Sequence, residues 1–359
     1  MISCVDLFCG LGGLTHGLTS GGVRVVAGVD TDEQCRFPYE ANNDAKFLHH
    51  DVRELSGKEL GRLWPKKSSY RLLAGCAPCQ PFSTYSRKGR ASRTDNKWDL
   101  VSDFGRLIDE TKPDFITMEN VPQLADHPVF QDFLNSASEY HIWHGIVECK
   151  SYGVPQTRKR LVLLGSRWGS IELVPPTFID EEAVPTVRDA IGHLPALSAG
   201  EIDPADSLHR ACRLSTLNLK RIKQSVPGGT WRDWSPKLVA KCHRKTTGET
   251  YPSVYGRMEW DSPSPTITTQ CFGYGNGRFG HPEQDRAITL REAAILQTFP
   301  ESYQFLELGE VPKFSTMGRL IGNAVPVRLG EVVAESLFNH LKAIKKNPRT
   351  HRKRPRRKR

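Results

Sequence analysis

No apolar run in this chain approaches the ~18 residues that a membrane span requires. The start Met1-Ile2-Ser3-Cys4-Val5-Asp6 has no basic flank ahead of an apolar stretch and a cleavage site. A cytosolic protein is the expectation. Internal repeats are absent, which removes solenoids and propellers. Cysteine is sparse, nine in 359 residues and an odd number, which fits reduced thiols in a reducing compartment better than a disulfide framework. Acidic residues are scarce in two places. Residues 342–359 hold eleven Lys and Arg and no acid, and residues 207–258 hold eleven against Asp233 and Glu249 alone. Because the whole chain carries a net charge of +10, the remainder is acidic. A polyanionic partner is expected for the internal basic segment and the basic tail.

With 38% hydrophobic and 25% charged residues, the chain can bury one or two ordinary cores, and its length allows two domains. Short apolar runs at 2–8, 23–29, 71–75, 115–118 and 161–165 read as buried strands. Helical patterns lie between them at 14–20, 33–42 and along a longer stretch where Trp98, Val101, Gly105 and Ile108 share a face. This alternation predicts an α/β fold, a doubly wound and mostly parallel sheet with ligands at the carboxyl ends of its strands. From Pro175-Pro176 to about 284 the chain is rich in Pro, Gly and isolated aromatics, which predicts a smaller, loop-rich domain. Helical signal returns at 290–296, with Thr289 as N-cap, and at 330–341. The tail has almost no apolar residues and is expected to be disordered.

Four segments carry chemistry. Asp6-Leu7-Phe8-Cys9-Gly10-Leu11-Gly12-Gly13-Leu14 joins the first strand to the first helix through glycines that let backbone approach a nucleotide. Asp30, twenty residues beyond Gly10, can accept from both ribose hydroxyls, and Asp51 can read an adenine amino group. The pattern indicates an adenosine-containing cofactor without separating a dinucleotide from S-adenosylmethionine. In Gly75-Cys76-Ala77-Pro78-Cys79-Gln80-Pro81-Phe82-Ser83, a zinc site would need a second ligand pair, which the chain lacks, so no metal is expected. A thioredoxin-like motif would open a helix, and Pro81 opposes one. Cys79 is better placed as a nucleophile at a strand end. Glu119, in Phe115-Ile116-Thr117-Met118-Glu119-Asn120-Val121-Pro122, reaches the same rim, either as a proton donor or as an N-cap for the next helix. Gln156-Thr157-Arg158-Lys159-Arg160 puts two guanidinium forks on one face of an extended segment, suited to a carbonyl or phosphate.

Together these segments resemble the cytosine-C5 DNA methyltransferase family of the bacterial restriction-modification type. They occur in that family's order, followed by Arg291-Glu292-Ala293-Ala294-Ile295-Leu296-Gln297-Thr298-Phe299-Pro300 and Gly322-Asn323-Ala324-Val325-Pro326. The resemblance implies a catalytic and cofactor domain at 1–185 plus 285–345, a target-recognition domain at 186–284 and a basic tail at 346–359. It implies S-adenosylmethionine as cofactor, double-stranded DNA as partner, a monomer in the nucleoid-associated cytoplasm, and a restriction endonuclease as a possible genetic companion. By the family's mechanism, Cys79 adds to carbon 6 of a flipped-out cytosine, Glu119 stabilises a proton on nitrogen 3, and carbon 5 takes the methyl group. Arg158 and Arg160 line the base pocket, Arg160 the nearer to the carbonyl. Asp6, Phe8, Gly10, Leu11, Gly12, Gly13, Asp30, Asp51, Pro78, Leu100, Asn323 and Val325 fall at cofactor positions. Asp30 stands where the family usually has Glu.

For DNA contact the expectation is a lid after the nucleophile, with Ser83, Arg87, Lys88 and Arg90 meeting phosphates and Gly89 allowing bending. Cations of the recognition segment, Arg232, Arg244 and Arg257 among them, contact phosphates or base edges, while most of its aromatics form core. Two other readings stand beside this one: a tRNA cytosine methyltransferase, and a catalytically silent DNA-binding module.

Overall fold

The computed structural model describes residues 1–78, 99–245, 248 and 250–346. The expected nucleophile Cys79, the expected lid residues Ser83, Arg87, Lys88 and Arg90, and the basic tail from 347 onwards lie outside the described residues. Packing divides the chain into two units: Met1–Glu148 with Lys159–Pro175 and Val327–Arg359, and Cys149–Arg158 with Pro176–Pro326.

Unit 1 is built on seven strands: β1 (Ile2–Leu7), β2 (Arg24–Asp30), β3 (Lys46–His49), β4 (Tyr70–Gly75), β5 (Phe115–Asn120), β6 (His141–Glu148) and β7 (Lys159–Ser166). Their order in the sheet is β3-β2-β1-β4-β5-β7-β6. The first five are mutually parallel, and β7 runs against both its neighbours. All six residues of β1 are buried, as a strand covered by helices on both faces requires, which is why it reads as a continuous apolar run. The expected fold class is the one found. The sequence reading missed β6, whose residues are mostly exposed or half-buried and so present no apolar run.

The helices of this unit are α1 (Gly13–Ser20), α2 (Arg36–Asn42), α3 (Gly57–Leu63), α4 (Asp99–Thr111), α5 (Pro128–Ser136) and, after the second unit, α10 (Val327–Lys346). In α4 the buried residues Val101, Phe104, Leu107 and Ile108 recur at helical spacing and face the sheet, each contributing about 1.5–3 kcal/mol by leaving water. Helix α10 lies against α1 so closely that a Cβ on Gly17 would come within 2.1 Å of the carbonyl oxygen of Val327. Only glycine permits that approach.

Unit 2 contains α6 (Val187–Ile191), α7 (Thr216–Ile222), α8 (Leu290–Leu296) and α9 (Phe314–Asn323), joined by long irregular segments. Thr289 does cap α8, in a reciprocal capping box with Glu292. Helices α8 and α9 pack with 176–326, whereas the sequence division placed 285–345 with the cofactor domain; of that stretch only α10 belongs to unit 1. The core of the segment around 222–287 gathers Ile222, Trp231, Trp234, Val254, Tyr274 and Ala287. No helix among the described residues is long and apolar enough to cross a membrane.

Candidate active site

The carboxyl ends of β4 and β5 set the chemistry of unit 1. These strands are in parallel register, with Gly75 opposite Met118, so the next residues along, Cys76 and Glu119, meet side by side. Cys76 Sγ donates to Oε2 of Glu119 at 2.8 Å. From β7, Nε of Arg160 stands 2.8 Å from Oε1 as an ion pair, without the alignment of a hydrogen bond. Glu119 is 6% exposed, so a cation and a thiol donor hold its carboxylate away from water. One residue further, Asn120 Nδ2 donates to the carbonyl of Ala77 at 2.9 Å and ties the segment leading to Cys79 onto β5. Burial first, then the neighbouring Glu119 carboxylate, push the Cys76 thiol well above the ordinary cysteine range, so it remains a proton-bearing donor.

At the ends of β1 and β2 lies the glycine turn. Gly12 caps α1 at φ 86°, and Phe8, a non-glycine residue, is held at φ 57°, a conformation costing on the order of 1–3 kcal/mol and typical of functional loops. The N–H of Gly10 donates to Oδ2 of Asp30 at 2.9 Å, and the N–H of Asp32 donates to Oδ1 at 2.9 Å. Asp30 is thereby fixed with acceptor capacity left on both oxygens. A Cβ on Gly10 would meet nothing within 4 Å, so the turn faces open space beside Asp30. Phe8 and Leu100 flank this end of the core; Leu11 and Gly13 are buried and Pro78 is exposed. Asp51 follows β3 and is bound by the guanidinium of Arg53, with Nε 3.0 Å from its Oδ1, so Arg53 has to shift if Asp51 is to read an adenine.

Asp6, at the end of β1, is 1% exposed. Its Oδ2 accepts from the Thr15 hydroxyl at 2.7 Å, and Oδ1 has no partner among the described residues. Burial raises this carboxyl to about 7, with the Thr15 hydroxyl opposing and Asp30 adding to the rise. A buried acceptor without a donor, an open glycine turn and a fixed strand-end carboxylate fit a polar, adenosine-bearing ligand carrying positive charge.

Arg158, expected in the base pocket, is 2% exposed in unit 2, and its terminal nitrogens donate to the carbonyls of Ile267 at 3.1 Å and Ala324 at 3.3 Å. Gln156 Nε2 donates to the carbonyl of Leu296 at 2.7 Å, and Gln297 Nε2 to that of Ile321 at 2.8 Å. Three sequence motifs of unit 2 therefore converge as a hydrogen-bonded scaffold around the end of α9, where Asn323 is exposed and Val325 buried. Arg158 meets backbone carbonyls, and Arg160 meets the Glu119 carboxylate.

The basic segment divides similarly. Arg257, expected at DNA, is 5% exposed; it donates to the carbonyls of Ile222, Ser225, His281 and Gln284 and pairs with Asp285. It is an internal staple. Arg221 is buried too, donating to the carbonyl of Leu238 at 2.9 Å. Arg232 and Arg244 are exposed, the former lying 5.2 Å from the centre of the Trp231 ring. Trp231, in turn, stacks on His243 at 4.5 Å.

A model of the C-5 cytosine-specific DNA methylase family matches residues 2–339, and the chain belongs to that family. It is thus a cytosine-C5 DNA methyltransferase whose methyl donor is S-adenosylmethionine. Type II methylase M.HgiDII of Herpetosiphon aurantiacus is 53% identical over 350 residues, covering 96% of this chain and 97% of the relative. Type II methyltransferase M1.HphI of Haemophilus parahaemolyticus is 32% identical over 347 residues, 94% of this chain and 87% of the relative. Among solved structures, a prophage-encoded DNA modification methyltransferase of E. coli superposes with a TM-score of 0.72 at 22% identity, covering 95% of this chain and 100% of that one. The S. pombe Dnmt2 methyltransferase gives 0.63 at 17%, covering 95% and 99%. These two show a shared fold.

Proposed function

We propose that this chain methylates carbon 5 of a flipped-out cytosine in a specific double-stranded DNA sequence, as a monomer and as the modification enzyme of a restriction-modification pair. The buried Glu119 carboxylate, gripped by Cys76 and Arg160 at the strand ends, is the observation that carries the chemistry. In this reading Cys79 adds to carbon 6, and Glu119 holds the proton on nitrogen 3 while the ring becomes nucleophilic. Arg160 keeps Glu119 in place and reaches the base carbonyl. S-adenosylmethionine supplies an electrophilic methyl group when bound. Asp30 would hold its ribose and Asp6 would face its positive charge, with Phe8, Gly10, Leu11, Gly12, Gly13, Asp51, Pro78 and Leu100 around them. Asn323 and Val325 are assigned to the cofactor on the family resemblance. The Type II names of the relatives support the restriction-modification context.

Exposed Arg232 and Arg244 serve DNA contact in the recognition segment, and Ser83, Arg87, Lys88 and Arg90 serve it beside the nucleophile. Bisulfite sequencing of DNA from a methylation-free host expressing the chain reads activity and site together. One methylated sequence is expected, lost in Cys79→Ala although DNA binding persists. Methyl incorporation into tRNA in place of duplex DNA, or substantial turnover by Cys79→Ala, would overturn the proposal.

A further inference from the structure

The geometry points to Cys76 as a positioning residue for the reaction, one that aims the Glu119 carboxylate through its thiol hydrogen bond. This rests on the assignment of Glu119 made above. Parallel register carries Cys76 and Glu119 to the same level at the carboxyl ends of β4 and β5, and the 2.8 Å contact fixes Oε2. The opposite oxygen faces Arg160 at 2.8 Å. A carboxylate held on one oxygen only can turn about its last torsion, which is broad for Glu; held on both, it presents one edge.

The thiol itself has little freedom. The residue after it, Ala77, is 1% exposed, and its carbonyl accepts from Asn120 at 2.9 Å. The charged or titratable groups acting on the thiol are Glu119 on β5, Arg160 on β7 and Asp6 on β1. The first and last favour the protonated thiol, and Arg160 opposes them. Burial, the largest influence, also keeps the proton on sulfur. Cys76 is accordingly a donor and a poor nucleophile, and the two cysteines of Cys76-Ala77-Pro78-Cys79 divide their labour: one orients the acid, the other attacks the base. That use of the spacing requires neither zinc nor a disulfide.

The test measures steady-state methyl transfer from labelled S-adenosylmethionine to cognate duplex by full-length wild type, Cys76→Ala and Cys76→Ser. Loss of one hydrogen bond to a charged group lowers kcat about tenfold in the alanine variant, while KM for DNA and for cofactor stays within about twofold. Serine, which also donates, restores kcat. If alanine does not fold, Cys76→Val and Cys76→Thr, alike in shape and differing in the hydroxyl, carry the same comparison. Wild-type kcat in the variant without a donor would overturn the inference, as would equal impairment with and without a donor hydroxyl, or a loss that falls on KM and leaves kcat unchanged. A wild type that transfers no methyl group to cytosine would instead overturn the assignment of Glu119, and this inference with it.

Discussion

Nε of Arg160 stands 2.8 Å from Oε1 of Glu119, and both side chains are largely buried. Removing the cation leaves the carboxylate uncompensated in a site with little water. Arg160→Ala should lower kcat about 10²–10⁴-fold, the range a positioned acid supplies, with Arg160→Lys intermediate because an ammonium restores charge without the fork. Single-turnover methylation measures this; a kcat within twofold of wild type in the alanine variant would show that the ion pair is idle.

Asp30 ties the glycine turn to β2 through the N–H of Gly10. Asp30→Ala removes both the ribose acceptors and that tie, so the dissociation constant for S-adenosylmethionine should rise about 10- to 100-fold, the equivalent of one or two charge-assisted hydrogen bonds. Isothermal titration without DNA reads it directly, and an unchanged constant would remove Asp30 from the cofactor site.

Burial raises the Asp6 carboxyl to about 7, against the Thr15 hydroxyl and with Asp30 adding to the rise. The folded chain therefore keeps a proton that the unfolded chain releases near its ordinary value of about 3.9. Stability linked to this group is fully present in acid and falls as pH rises from about 4 to about 7, by up to about 1.4 kcal/mol per pH unit, levelling off above. Asp6→Asn has no such proton to lose. Its Tm relative to wild type, measured without cofactor, should climb between pH 4 and pH 7 and then stay level; a constant difference would contradict the linkage.

In unit 2, Arg286 and Glu292 are both fully buried and joined by two hydrogen bonds of 2.8 and 2.7 Å. Burial opposes ionisation of Glu292, yet the Arg286 fork, with help from His281 and the Thr289 backbone, holds its carboxyl down at about 2. The stability this gives is present above about pH 4.5 and is lost as pH falls towards 2. Arg286→Ala strands a buried carboxylate and should destabilise the unit by about 3–5 kcal/mol, seen as a large drop in Tm at neutral pH. Glu292→Gln, which keeps shape without charge, should also flatten the acid limb of the stability profile.

Much of this was legible in sequence because its cause is local. The apolar runs of β1, β4 and β5, the glycines of the first turn and the Thr289 cap of α8 each follow from a few consecutive residues. The motif order identifies the family, and with it the expectation placed on Glu119 and Asp30. Strand β6 was not legible, since an exposed edge has no burial pattern to display.

What only the tertiary structure decided is which partner each long polar side chain meets. Arg158, Arg160, Arg221 and Arg257 are the same residue type in basic stretches of sequence. Folding gives Arg158 backbone carbonyls, Arg221 a backbone carbonyl and the Asn218 side chain, and Arg160 and Arg257 each a carboxylate as well as backbone carbonyls, because a buried guanidinium must find acceptors wherever the chain has brought them. The same holds for Cys76: sequence offered it as half of a Cys-x-x-Cys pair, and strand register, a property of two segments some forty residues apart, set its thiol against Glu119.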